Sequence, residues 1–213
     1  SGSFAGGGTV IKTGSAALTY SGISAGFTGT LRVEQGLVLF NGNVNQLAAG
    51  SNIVLSGSTS SLRLDNDQTT AVGSRIADTA VVTLNNTAGT TAASLGLYMR
   101  RTAGTTTGTE TLGQLVLNAG HNVVAADGSA ASRIGTINFT NAIPLIRNNF
   151  STLLVLGRSL GDTAATQRGN VNFATDPGGS VGGVGAALST TINIYPYAIG
   201  ESTAGAPDGS VNF

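Results

Sequence analysis

The sequence predicts an all-β protein, a parallel β-helix (β-solenoid) with coils of roughly 20 residues, and three observations point there. First, short alternating apolar and polar runs lie between glycine and small-residue breaks from Gly6 to Gly42: Thr9-Val10-Ile11-Lys12, Ala17-Leu18-Thr19-Tyr20, Leu31-Arg32-Val33-Glu34 and Leu37-Val38-Leu39-Phe40. Alternation of this kind marks half-buried strands joined by tight turns. Second, no window of a dozen residues keeps a helical apolar period free of glycine, and the one helix candidate, Asp162 to Arg168, is one or two turns at most. Third, Ile137-Asn138-Phe139, Leu153-Leu154-Val155, Val171-Asn172-Phe173, Ile192-Asn193-Ile194 and Val211-Asn212-Phe213 begin 16, 18, 21 and 19 residues apart. A solenoid coil climbs one strand spacing of roughly 4.8 Å and returns beneath itself, which takes about that much chain.

Taken in order, further strands are expected at Ile53-Val54-Leu55, Leu62-Arg63-Leu64, Val81-Val82-Thr83-Leu84, Leu95-Gly96-Leu97-Tyr98, Leu115-Val116-Leu117 and Val123-Val124. Each is followed by Asn, Asp, Ser or Gly, residues that tolerate left-handed backbone or bond their own main chain. Gly36, Gly42, Gly50, Gly57, Gly135 and Gly169 read as corner residues. Two less regular stretches, Thr87 to Gly113 and Gly157 to Gly185, are expected to hold loops that leave the solenoid, with Arg100 and Arg101 exposed. Leu39 is expected to point inward, so that Leu39→Asp would bury an unpaired carboxylate. Asn138, Asn172, Asn193 and Asn212 would point outward and stack as an amide ladder. Residues 1–213 read as a single solenoid segment with a soft boundary near 127–132, at Asp127-Gly128-Ser129. Ser1 stands where Met would, and Val211-Asn212-Phe213 reads as a strand; both ends are expected to be cuts in a longer polypeptide.

Composition narrows the function classes. Ten acidic and ten basic side chains give a formal net charge of zero, which offers no field for nucleic acid or anionic lipid. The chain is rich in Val, Ile, Leu and Thr, which argues against disorder. It has no cysteine, which excludes disulfides and thiolate metal sites. No apolar run approaches the length of a membrane-spanning helix.

Motifs that carry chemistry are few. The single histidine, His121, sits between Gly120 and Asn122 with no adjacent acid, and reads as an exposed turn residue. Asp65-Asn66-Asp67 is the best local calcium candidate, but Gln68-Thr69-Thr70 follows without a glycine or closing Glu, so a polar turn is the better reading. The run Gly182 to Ala187 lacks the Asp of a calcium-binding nonapeptide and the third glycine of a dinucleotide fingerprint. A glycan-cleaving site needs converging carboxylates. The acids, Glu34, Asp65, Asp67, Asp78, Glu110, Asp127, Asp162, Asp176, Glu201 and Asp208, are spread thinly, and no nucleophile elbow occurs. The expectation is therefore a non-enzyme, with no catalytic, cofactor or metal residues. Sequons at Asn85-Asn86-Thr87, Asn138-Phe139-Thr140 and Asn149-Phe150-Ser151 are what chance yields in a chain so rich in Asn and Thr.

The stretches Gly6-Gly7-Gly8-Thr9-Val10-Ile11-Lys12-Thr13-Gly14, Leu18-Thr19-Tyr20-Ser21-Gly22, Thr28-Gly29-Thr30-Leu31-Arg32-Val33 and Gly36-Leu37-Val38-Leu39 resemble the repeat of the autotransporter-associated β-strand repeat family. That repeat reads approximately as a glycine-rich turn, Leu-x-Lys, Gly-x-Gly, Leu-Thr-Leu-Ser-Gly, then Thr-Gly-Thr-Leu-x-Val-x-x-Gly-x-Leu. The match covers about the first 40 residues, with Ala16-Ala17 standing where the family favours Gly-x-Gly. The resemblance implies a secreted, right-handed β-helical stalk on the bacterial cell surface, with no catalytic residues to carry over. The expected role is a structural stalk or filament segment in adhesion, envelope or matrix. Its partners would be neighbouring segments or copies of itself end to end, with no nucleic acid and no membrane insertion. Two rivals stand beside it. A module binding surface glycans would present exposed aromatics in a row, for which Tyr195 and Tyr197 around Pro196 are the only hint. An outer-membrane barrel would need two aromatic girdles, for which seven Phe and four Tyr are few.

Overall fold

The structure is a computed structural model that describes residues 2–41, 47, 50–66, 74–88, 95–101, 107–128, 132–160, 166–178, 195–203 and 207. The described chain is strand and turn. Its first turn around the molecule contributes β1 (Thr9–Lys12) and β2 (Leu18–Tyr20), the second β3 (Thr30–Val33) and β4 (Gly36–Phe40), and the third β5 (Asn52–Ser56) and β6 (Ser60–Asp65). The fourth adds β7 (Val81–Asn85), β8 (Gly96–Arg101) and β9 (Thr107–Leu112), and the fifth β10 (Gln114–Ala119), β11 (His121–Gly128) and β12 (Ile134–Phe139). Then come β13 (Leu145–Arg147), β14 (Thr152–Arg158), β15 (Arg168–Phe173) and β16 (Ala198–Thr203).

Successive turns stack in parallel, the arrangement of a β-solenoid. The first sheet runs β1-β3-β5-β7-β10-β13, the second β2-β4-β6-β8-β11-β14-β16, and the third β9-β12-β15. Strand pairing is parallel throughout the described residues, whereas outer-membrane barrels pair antiparallel strands.

Alternation sets which residues enter the core. In the first sheet Val10, Leu31, Ile53, Val82, Leu115 and Leu145 form one inward column, in steps of 21, 22, 29, 33 and 30 residues. Beside it run Lys12, Val33, Leu55, Leu84, Leu117 and Arg147. A basic side chain thus closes this second column at each end, its stem on the apolar stack and its head on main-chain carbonyls. Lys12 Nζ donates to the carbonyls of Thr13 (3.0 Å), Gly14 (2.6 Å) and Gln35 (3.0 Å), and Arg147 Nε to that of Ser151 (2.7 Å).

Several expectations are corrected. Val171 is the pairing partner of Ile137, 34 residues on, while Leu153 lies in the second sheet; in this region the short spacing counts successive strands, not coils. Leu39 faces outward between Val38 and Phe40, which fill the core. Gly135 and Gly169 are mid-strand and not at corners. Arg101 is fully buried, and Arg100 is half-buried against Asp65. The stretches expected to loop out hold β8, β9 and β15, with Arg168 opening a strand where the helix candidate would end. Asp162, Gly42, Asp67, Asn193 and Asn212 lie outside the described residues, as does the run Gly182 to Ala187.

Candidate functional site

The polar chemistry of this molecule is concentrated in three places: an internal ionic seam, ladders along the corners, and the end beyond β13–β15. The seam begins with β8 and β9. On the outer face of the second sheet Asp65 pairs with Arg100 in register, and Arg100 with Asp127. Arg100 grips Asp65 with two nitrogens, Nε at 2.8 Å and Nη2 at 2.6 Å, and Arg63 Nε lies 3.0 Å from the same carboxylate. The fully buried Asp127 is met by Arg158 Nε at 3.1 Å and receives the Tyr98 hydroxyl at 3.4 Å. Burial first, and then the Asp127 charge, push the Tyr98 hydroxyl well above the usual phenol range. Alternating acid and base up one column satisfies each charge with the next strand's partner. Asp65 is therefore an element of this structural column, at the end of β6, and not part of an exposed polar turn.

Glu110 is the group that sequence reasoning missed. It points inward from β9, completely buried, and its carboxylate accepts the main-chain N–H of Arg75 (3.0 and 2.9 Å) and of Ile76 (2.8 Å). At this level the chain bridges Leu47 to Ile76 in parallel, and β9 opens the third sheet one turn later. The carboxylate thus supplies acceptors on the side of β9 away from β12, where no strand pairs with it among the described residues. Burial pushes its pKa up to about 8, opposed by those amides and by the Arg75 charge. Arg101, Asn66 and Arg75 are buried with it, and an Arg101 guanidinium nitrogen donates to the Asn66 carbonyl.

Amide ladders line the outside. Asn172 Nδ2 donates to Asn138 Oδ1 at 2.9 Å, the predicted pairing across β12 and β15. A second ladder, unforeseen, climbs the first sheet: Asn85 to Ser56 (3.4 Å), Asn118 to Asn85 (2.7 Å) and Asn148 to Asn118 (3.5 Å). At the corner between the first two sheets Asn122 is buried, and it ties three turns of the chain together. Its Nδ2 donates to the carbonyls of Ala119 (3.0 Å), Gly120 (3.2 Å) and Thr152 (3.4 Å), while its Oδ1 accepts Thr87 N–H (3.3 Å). Next to it His121 is exposed, and its Nδ1 lies 2.7 Å from Thr152 Oγ1.

At the far end, Leu145, Leu153, Val155, Val171 and Phe173 wall a cleft of about 480 Å³ that Tyr195, Tyr197 and Asp176 help enclose. The tyrosines do not form an exposed row. Tyr197 is only 7% exposed, donates to the Gly178 carbonyl (2.8 Å), and lies beneath the Arg147 guanidinium at 4.9 Å; Tyr195 donates to Asp176 Oδ1 at 2.6 Å. That hydroxyl and the Gly178 N–H hold the Asp176 carboxyl below the usual carboxylate range. Among the described residues no group of three or more His, Asp or Glu is placed to hold a metal ion.

No protein-family model matches the chain, and neither a curated protein nor a solved structure matches it.

Proposed function

We propose that this chain is a structural segment of a secreted bacterial surface protein, a right-handed solenoid that continues end to end into a neighbouring segment or copy. The observation that carries the reading is where apolar surface and open strand edges fall. Among the described residues the exposed large apolar side chains are Ile11, Leu18 and Ile23 in the first turn, and Ile143, Phe150 and Ile199 near the other end. None lies between 24 and 142. The same two ends present β1 and β2, and β13, β15 and β16, as sheet edges. Edges of this kind template further pairing, and a repeat array buries its terminal faces against the next unit. Between them the surface is sealed by ladders and paired charge. The right hand follows from the handedness of parallel crossover connections. The secreted, cell-surface setting rests on the repeat resemblance in the first 40 residues, together with a cysteine-free, low-charge composition. The reading assigns no catalytic residue, cofactor or metal.

Light scattering across a dilution series, with electron microscopy of the concentrated sample, tests it. Mass rising with concentration and end-to-end particles are expected, with Ile11→Asp and Leu18→Asp, both at exposed positions, lowering the association. A monomer at every concentration overturns the end-to-end reading.

A further inference from the structure

The cleft beyond β13–β15 has a chemistry that the stalk does not need, and we propose that it binds a neutral saccharide. The inference stands apart from the end-to-end reading. The volume of about 480 Å³ lies within the range of small-molecule clefts, about 300–1,000 Å³. Its floor is apolar, from Leu145, Val171 and Phe173. Its rim is polar and almost wholly acceptor in character. Asp176 is exposed and ionised; Oδ1 is engaged by Tyr195 and by Gly178, while Oδ2 takes no part in either bond. Asn172 gives one Nδ2 proton to Asn138, which leaves its carbonyl oxygen and one N–H at the end of that ladder. Thr175 donates its hydroxyl proton to the Ala142 carbonyl, so the oxygen can only accept from a ligand.

A rim of acceptors over an apolar floor selects a ligand with several O–H donors along its edge and a C–H face. The half-buried Tyr195 ring, tilted 60° to Tyr197 at 5.9 Å, supplies an aromatic surface for that face. Among the described residues no cation lines the cleft, and Arg147 on its flank gives Nε to the Ser151 carbonyl and lies over the Tyr197 ring. An anionic ligand meets no cation among those lining residues. A cation would find Asp176, but Tyr197, the deeper ring, already carries a guanidinium over its face.

Saturation-transfer NMR and calorimetry with cellobiose, maltose and N,N′-diacetylchitobiose test the proposal, with choline and glucuronate as cationic and anionic probes. The work is done at a protein concentration where light scattering shows a single monomer mass, so that failure of binding and failure of end-to-end association are read separately. At least one neutral disaccharide is expected to saturate, with enhancement on its ring C–H protons and weakening of about tenfold in Asp176→Asn and in Tyr195→Ala. Thr83→Ala, on the outer face of the first sheet, leaves binding unchanged. Circular dichroism and the unfolding midpoint confirm that each variant is folded. Thr175→Ala, which also sits on the exposed rim, is expected to weaken binding and provides a second reading if Tyr195→Ala loses structure. Silence with all three disaccharides, binding of choline alone, or affinity unaltered in folded Asp176→Asn overturns the proposal.

Discussion

Among the described residues of the first three turns the third side of the coil shows two isolated bridges, Gly6 with Phe27 and Leu47 with Ile76, whereas from β9 onward it is a three-stranded sheet. The interior changes to match. One inward column of the second sheet reads Tyr20, Phe40, Leu64, Met99, Ala126, Gly157 and Ser202, falling from aromatic to small. Around the Gly6–Phe27 bridge rings fill the space: Phe4 stacks on Tyr20 at 5.0 Å, and Phe27 and Phe40 tilt against that pair. Where there is a third strand, small residues let it close in. Gly108, Gly135 and Gly169 stand beside one another on β9, β12 and β15, and a Cβ on them would collide with Arg101 Cδ, the Asp127 carbonyl and the Ala126 carbonyl. Core volume is conserved by moving it from side chain to main chain.

Six substitutions at five positions test that exchange. Phe40→Ala empties the aromatic end and should cost about 3–5 kcal/mol in chemical denaturation, with little local collapse available. Glu110→Ala, at the junction between the two regimes, strands two main-chain donors beside a buried guanidinium; about 3 kcal/mol is expected. Glu110→Gln keeps an acceptor and removes the titration. Because the folded carboxyl titrates at about 8 and its ordinary value is 4.5, wild-type stability from this group is fully present below 4.5 and is lost as pH rises toward 8. Thermal unfolding across that window should slope downward in the wild type and flatten in Glu110→Gln. Gly169→Val should cost about 1–3 kcal/mol by forcing β15 away from β11, whereas Gly26→Val, in open space near the first turn, should be nearly silent. Asn138→Ala removes one rung of an exposed ladder and should cost about 1 kcal/mol at most. Equal effects at Gly169 and Gly26 would mean that the two regions are packed alike.

The strand positions were legible because alternation survives in short runs: Leu31 with Val33, Ile53 with Leu55 and Val82 with Leu84 all enter the core as the pattern predicts. Side could not be read where both faces are apolar. In Leu37-Val38-Leu39-Phe40 period two is silent about phase, and Leu39 falls outward. The Asn triplets misled for a related reason: Ile137 and Leu153 belong to different sheets, and a spacing along the chain does not say which strand sits above which. Of the candidate site, the Asn138–Asn172 rung was visible beforehand, as were Tyr195 and Tyr197, though as an exposed row that they do not form. Glu110 looks like any polar position in Thr-Gly-Thr-Glu-Thr-Leu, and its one available signal was an acid at the inward phase of a strand ending in Leu112.

Asn122 has a mechanical consequence. A stack in which each turn touches only its neighbours peels from a free end one layer at a time, because each layer's loss leaves the rest intact. The bonds of one buried amide to Thr87, Ala119, Gly120 and Thr152 join three layers at a single corner. Under tension from the β16 end, unzipping would therefore pause at this pin, and the molecule would lengthen in two steps, with the turns before β7 released only after the pin gives way.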